Sequence, residues 1–106
     1  MWVMAVFDLP TQTKLQRKRY AGFRKLLLHN GFSMMQFSVY VRNVPTMHQA
    51  QALIRRLGPQ TPPQGKCAFM LITDKQYGLT KNFYGPLPRQ EKIPQKYDQL
   101  ILFDDL

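Results

Sequence analysis

MWVMAVFDLPTQTK (residues 1–14) reads as a strand handing over to a helix. The run WVMAVF is apolar and rich in β-favouring residues, the pattern of a buried strand over about residues 2–8. Pro10 has no backbone N–H to give to a ladder and ends that strand. Thr13 followed by Gln16 has capping-box spacing, which starts a helix near Lys14. Gly31, after Asn30, supplies the C′ residue that stops it. Within the opening stretch Asp8 is conspicuous, because no other acidic residue occurs before Asp74.

Projecting residues 14–28 at about 100° per residue separates two faces. Leu15, Tyr20, Phe23, Leu26 and Leu27 share a broad apolar sector. Lys14, Arg17, Lys18, Arg24 and Lys25 lie opposite, and only Arg19 falls among the apolar residues, where it snorkels, pairs or meets a partner. An ordinary solvated face mixes the two signs at i, i+4 spacing. This one has no acid, so it reads as a ridge facing phosphates.

Downstream, GFSMMQFSVYVRNV (31–44) alternates Phe37, Val39 and Val41 with Ser38, Tyr40 and Arg42, a half-buried strand with the first set inward. The phase slips at Met34–Met35, which predicts a bulge or bend between two short strands. Pro45 at N1 opens a second helix with core positions Met47, Ala50, Ile54 and Leu57, stopped by Gly58 and Pro59. PQTPPQG (59–65) is a rigid surface loop, and KCAFMLIT (66–73) a central strand buried on both sides. DKQYG turns into another short strand, LTKNFYG (79–85). Residues 1–85 form the core domain. Residues 86–106 are a polar, Pro-interrupted linker ending in the β-prone LILF, which either packs on its own sheet or adds to an edge of another chain. The order of elements is that of an α+β, ferredoxin-like βαββαβ sandwich, an antiparallel sheet with two helices on one face. The uncovered face makes a homodimer plausible.

Charge narrows the function. Residues 1–73 carry ten Lys/Arg against Asp8 alone, a net +9, while residues 74–106 balance five cations with five acids. Such a field selects a polyanion partner, nucleic acid above all. Arg42, Arg55 and Arg56 join the helical cations as candidate phosphate contacts. The single cysteine, Cys67, excludes an intramolecular disulfide and suits a cytoplasmic location. No apolar run is long enough to span a membrane. No Gly-rich phosphate loop, CxxC pair, HExxH or GxSxG is present. His29 and His48 read as surface residues and Cys67 as a core thiol. Asp8 has two readings: a turn-forming Asx residue between strand and helix, or a metal ligand. Mg²⁺ commonly uses one or two carboxylates together with substrate phosphates and water, so two copies of Asp8 across a dimer axis would suffice.

VFDLP, RKRY, GFSMMQFSVYVR and ITDKQYG…FYG, in this order and spacing over residues 1–85, closely resemble the CRISPR-associated protein two family, in its type II-like branch. The resemblance implies a ferredoxin-like homodimer that binds prespacer duplex DNA as a scaffold for the CRISPR adaptation integrase, with the C-terminal strand crossing to a partner. It also implies Mg²⁺-dependent endonuclease activity on RNA (single-stranded included) or DNA, the ion being held by Asp8 of both subunits as the catalytic and metal-binding residue. Arg17 and Arg19 match a basic pair that some members carry on the first helix. Phe7 stands where a tyrosine often precedes the Asp, Tyr40 where phenylalanine is frequent, and Met34 where several nuclease-type members have an arginine, which removes one phosphate contact. The alternative from another class is a toxin-type ribonuclease of the virulence-associated family, which shares the fold.

Overall fold

Strand β1 (Trp2–Asp8) runs through the middle of the sheet, paired antiparallel on both sides. In a computed structural model that describes residues 1–86, it is followed by α1 (Lys14–His29), β2 (Ser33–Gln36), β3 (Val39–Asn43), α2 (Met47–Leu57), β4 (Lys66–Ile72) and α3 (Asp74–Gly78). The strand order is β2-β3-β1-β4 with every pairing antiparallel, the ferredoxin-like βαββαβ arrangement that the sequence predicts. No helix among the described residues is long and apolar enough to cross a membrane.

The period-2 alternation of β1 decides what each sheet face does. Val3, Ala5 and Phe7 are buried and pack with Phe23 and Leu27 of α1, Tyr40 of β3, and Ala50, Leu53 and Leu57 of α2 in one core cluster. Both helices therefore cover the same face. Each fully buried Phe or Leu contributes about 1.5–3 kcal/mol. Trp2, Met4, Val6 and Asp8 point the other way. Across the ladders they meet Val39 and Val41 of β3 and Ala68, Met70 and Ile72 of β4, a second face that is also largely apolar. Met70 in its middle is 46% exposed.

Helix α1 begins and ends where its sequence signals stand. Thr13 Oγ1 accepts from the Gln16 N–H and Gln16 Oε1 accepts from the Thr13 N–H, both at 3.0 Å, closing the capping box. Gly31 takes φ = +81°, a conformation that costs any residue with a Cβ. Leu15, at the margin of the apolar sector in the first turn, is exposed rather than packed.

Elsewhere the structure corrects the reading. The 31–44 stretch is a hairpin whose two-residue turn is Phe37–Ser38, with a register shift between Met34 and Gln36. Ser38 adopts φ = +62°, and this turn reverses the expected phase: Tyr40 enters the core, while Phe37 is 79% exposed. Helix α2 starts two residues beyond the expected position, because Thr46 caps it by accepting from the Gln49 N–H at 3.1 Å. Pro45 therefore precedes the cap. Leu53 replaces the exposed Met47 in the core of α2. Strand β4 is an edge of the described sheet, not its centre, since β1 separates it from β3. Its apolar residues divide between the helix-covered face and the open one. After β4 comes the capped helix α3, and residues 79–86 form no strand. The linker and the expected LILF strand lie outside the described residues.

Candidate functional site

Asp8 closes β1. As the even-numbered end of that strand it projects onto the open sheet face, and it is exposed, directly across the ladder from Lys66. Among the described residues no hydrogen bond or ion pair engages its carboxylate. The backbone around it is fixed. The Phe7 N–H donates to the Ser38 carbonyl at 3.0 Å, which holds the β2–β3 turn beside the end of β1. Arg17 Nη1 donates to the carbonyls of Thr11 and Gln12, at 3.2 and 3.1 Å, and so clamps the segment between Asp8 and α1. Its guanidinium fastens the loop that follows the carboxylate while staying exposed.

Lys14, Lys18, Arg19, Arg24 and Lys25 are exposed along the rest of α1. Burial raises the pKa of Tyr40, with the positive charge of Arg24 acting against that rise. Arg19 stands at the rim of a cleft of about 360 Å³ lined by Phe23, Leu26, Gln60, Pro62 and Pro63. Besides Arg17, two more of the expected phosphate contacts are engaged inside the chain. Arg42 is half-buried and donates to the Asn30 carbonyl, and Arg56 donates to Asn30 Oδ1, each at 2.7 Å. Arg55 is exposed in the last turn of α2.

The remaining titratable candidates behave as expected. Burial pushes the Cys67 thiol up to about 11, as befits a side chain opposite Phe7 on the helix-covered face. His29 and His48 are exposed. No three His, Cys, Asp or Glu side chains gather among the described residues, and Asp8 is the carboxylate at this end of the sheet. The donor type suits Mg²⁺, a hard cation that prefers oxygen. One feature had no sequence signal: the exposed Phe37 ring beside Tyr20, which the alternation had placed inward.

The sequence model of the family described as CRISPR associated protein Cas2 matches residues 1–79. The chain belongs to the Cas2 family. It is 46% identical over 103 residues to the "CRISPR-associated endoribonuclease Cas2" of Parvibaculum lavamentivorans, covering 97% of this chain and 100% of that one. The protein of the same name from Flavobacterium psychrophilum is 43% identical, over 97% of this chain and 88% of that one. The crystal structure of Streptococcus pyogenes Cas2 at pH 6.5 has the same fold, with a TM-score of 0.62 and 24% identity over 79% of this chain and all of that one. The match is to Cas2, a family of CRISPR systems.

Proposed function

We propose that this Cas2 chain acts as a homodimer in spacer acquisition, binding prespacer duplex DNA as a scaffold for the adaptation integrase, and that it carries a Mg²⁺-dependent phosphodiesterase site. The observation that carries the reading is the position of Asp8. It is a carboxylate without a described partner, on the open apolar sheet face, at the strand end that Arg17 and the Ser38 carbonyl hold in place. Pairing that face with a second copy buries Met4, Val6, Ala68 and Met70 and brings a second Asp8 to the shared surface. A divalent ion held there supplies Lewis-acid polarisation of the phosphodiester and a bound water of lowered pKa. Asp8 of each subunit provides the oxygen ligands. Arg17 keeps the loop behind the ligand in register, and the exposed cations of α1 hold the nucleic-acid backbone. Met34, where nuclease-type members have an arginine, offers no phosphate contact, which favours the scaffold role over fast cleavage.

The scaffold role rests on Lys14, Lys18, Arg19, Arg24 and Lys25, exposed on one helix with no acid among them, together with Arg17 and Arg55. Each phosphate contact lowers the log–log salt slope by about 0.9 on duplex DNA. QLILF (99–103), beyond the described residues, is the candidate for the integrase contact or for strand addition to the partner subunit. The test is Asp8→Asn, with cleavage of single-stranded RNA and duplex DNA measured in Mg²⁺, dimer mass by sedimentation and duplex affinity by titration. The expected result is loss of cleavage with dimer and duplex binding retained. Undiminished cleavage by the variant rejects Asp8 as a ligand, and a monomeric wild type rejects the two-chain site.

A further inference from the structure

Aromatic rings form a ladder from the core to solvent at the Asp8 end of the sheet. Phe7 packs edge-on against Phe23, with centroids 5.3 Å apart, and against Tyr20 at 5.6 Å. Tyr20 in turn lies 6.2 Å from Phe37, with the two rings inclined by 33°. Phe37 is the outer rung, and 79% of it is exposed. It is not a loose side chain on a loose loop. Its turn is held by the hydrogen bond from the Phe7 N–H to the Ser38 carbonyl, and by a 2.9 Å hydrogen bond between Tyr20 Oη and Ser38 Oγ.

The surroundings select the occupant. Tyr20 lies at the margin of the apolar sector, where Arg17 at i−3 and Arg24 at i+4 begin the cationic face, and both arginines are exposed. No acid lies between Leu9 and Thr73, and the nearby carboxylate of Asp8 projects onto the sheet face opposite the one that Phe7 occupies. A protein partner with an apolar side chain would have no use for this concentration of positive charge. A nucleotide has both halves of the complement: a π-face for the ring and a phosphate for the guanidinium. A paired duplex shows its base faces only at its ends, so the ring suits a base that is out of the stack.

We propose that Phe37, backed by Tyr20, is a stacking platform for an unpaired nucleobase, with Arg17 and Arg24 taking the flanking phosphates. This rests on the nucleic-acid reading of the preceding section and extends it to single-stranded segments. Duplex binding along the α1 ridge does not require Phe37. A single strand, or the frayed end of a duplex, does.

The experiment compares wild type, Phe37→Ala and Phe37→Trp in titrations with a short oligothymidine strand and with a blunt duplex of mixed sequence, at one fixed salt concentration. Phe37→Ala is expected to weaken single-strand binding about 5- to 100-fold, the range for loss of one base-stacking contact, while duplex affinity stays within about twofold. Phe37→Trp is expected to retain single-strand affinity, with its added fluorescence quenched by the oligonucleotide. Equal losses on both ligands, or no loss on either, overturn the platform while leaving the duplex scaffold intact. Failure of the wild type to bind either ligand overturns the scaffold reading as well. Sedimentation of Phe37→Ala closes the remaining route, since a monomeric variant would make Phe37 a contact between copies and overturn the platform.

Discussion

Arg42 Nη1 donates to the carbonyl of Asn30 at 2.7 Å, and this bond ties β3 to the C-terminal end of α1. Asn30 is a junction. Its Nδ2 returns to the Leu26 carbonyl at 2.8 Å and its Oδ1 accepts from Arg56. The last carbonyls of a helix have no intrahelical partner and carry partial negative charge, so cations at this end are favourable on both counts. The Arg42 stem also lies over Gly31: a Cβ there would come within 3.2 Å of Arg42 Nε. Gly31 is required by its positive φ, and a Cβ there would in addition push the Arg42 stem aside by a few tenths of an ångström.

The cations of the first 73 residues thus divide into those that hold the fold and those left for a partner. Arg42→Ala strips a charge-assisted hydrogen bond from a half-buried carbonyl and is expected to cost about 1–3 kcal/mol of stability. Lys18→Ala, on the exposed ridge, is expected to stay within about 0.5 kcal/mol and yet weaken duplex binding. Chemical denaturation alongside DNA titration separates the two. Equal stability of the variants would mean that the Asn30 junction carries no weight.

Local chemistry explains what the sequence made legible. Pro10, the Thr13–Gln16 box and Gly31 each act on their immediate neighbours, and β1 and α1 have the bounds those residues set. The hairpin was misphased because its turn is Phe37–Ser38, with Ser38 at φ = +62° and no Asn-Gly or Asp-Gly to mark it. Moving the turn by one residue exchanges Tyr40 and Val41 between faces. Strand β4 was read as central because it is apolar on both faces. Strand order is a long-range property, which a local apolar pattern does not carry. Asp8 was legible as the lone early acid and as a strand end. Its lack of a described partner was not, because that depends on Lys66 lying across the ladder without reaching it. The clamp of Arg17 on the Thr11 and Gln12 carbonyls was also out of reach, since a cationic helix face looks the same whether its guanidiniums are free or engaged.

Cys67 supplies a check on the core that does not involve nucleic acid. Burial raises its thiol to about 11, and only the thiolate reacts with alkylating agents. At pH 8 the thiolate fraction is then roughly a hundredfold below that of an ordinary cysteine thiol at 9.0. Native protein is expected to react with iodoacetamide about a hundred times more slowly than the same protein in denaturant, followed by mass spectrometry. Comparable rates would place Cys67 outside the core and undo the assignment of β4 faces.

Asp74 provides a pH dependence of stability at the end of the sheet opposite Asp8. The α-ammonium group of Met1 donates to its Oδ1 at 2.7 Å, and Asn43 Nδ2 donates to the same oxygen at 3.1 Å. The hydrogen bond from the ammonium, its charge and the Asn43 amide together hold the carboxyl below its ordinary value of 3.8, against a smaller opposing effect of desolvation. A carboxylate with a depressed folded pKa stabilises the fold in full above its unfolded value and loses that contribution as pH falls through the folded one. The effect is therefore absent from the neutral range and confined to acid, from about pH 4 downward. Because the pair is exposed, its contribution is small. Asp74→Asn is expected to lower stability slightly at pH 7 and to flatten the wild-type decline below pH 4, measured as denaturation midpoints across pH. A variant with an unchanged acid limb would show that the Met1–Asp74 pair does not form in solution, and that the N-terminal end of β1 is held by the Trp2–Tyr77 ring stack instead.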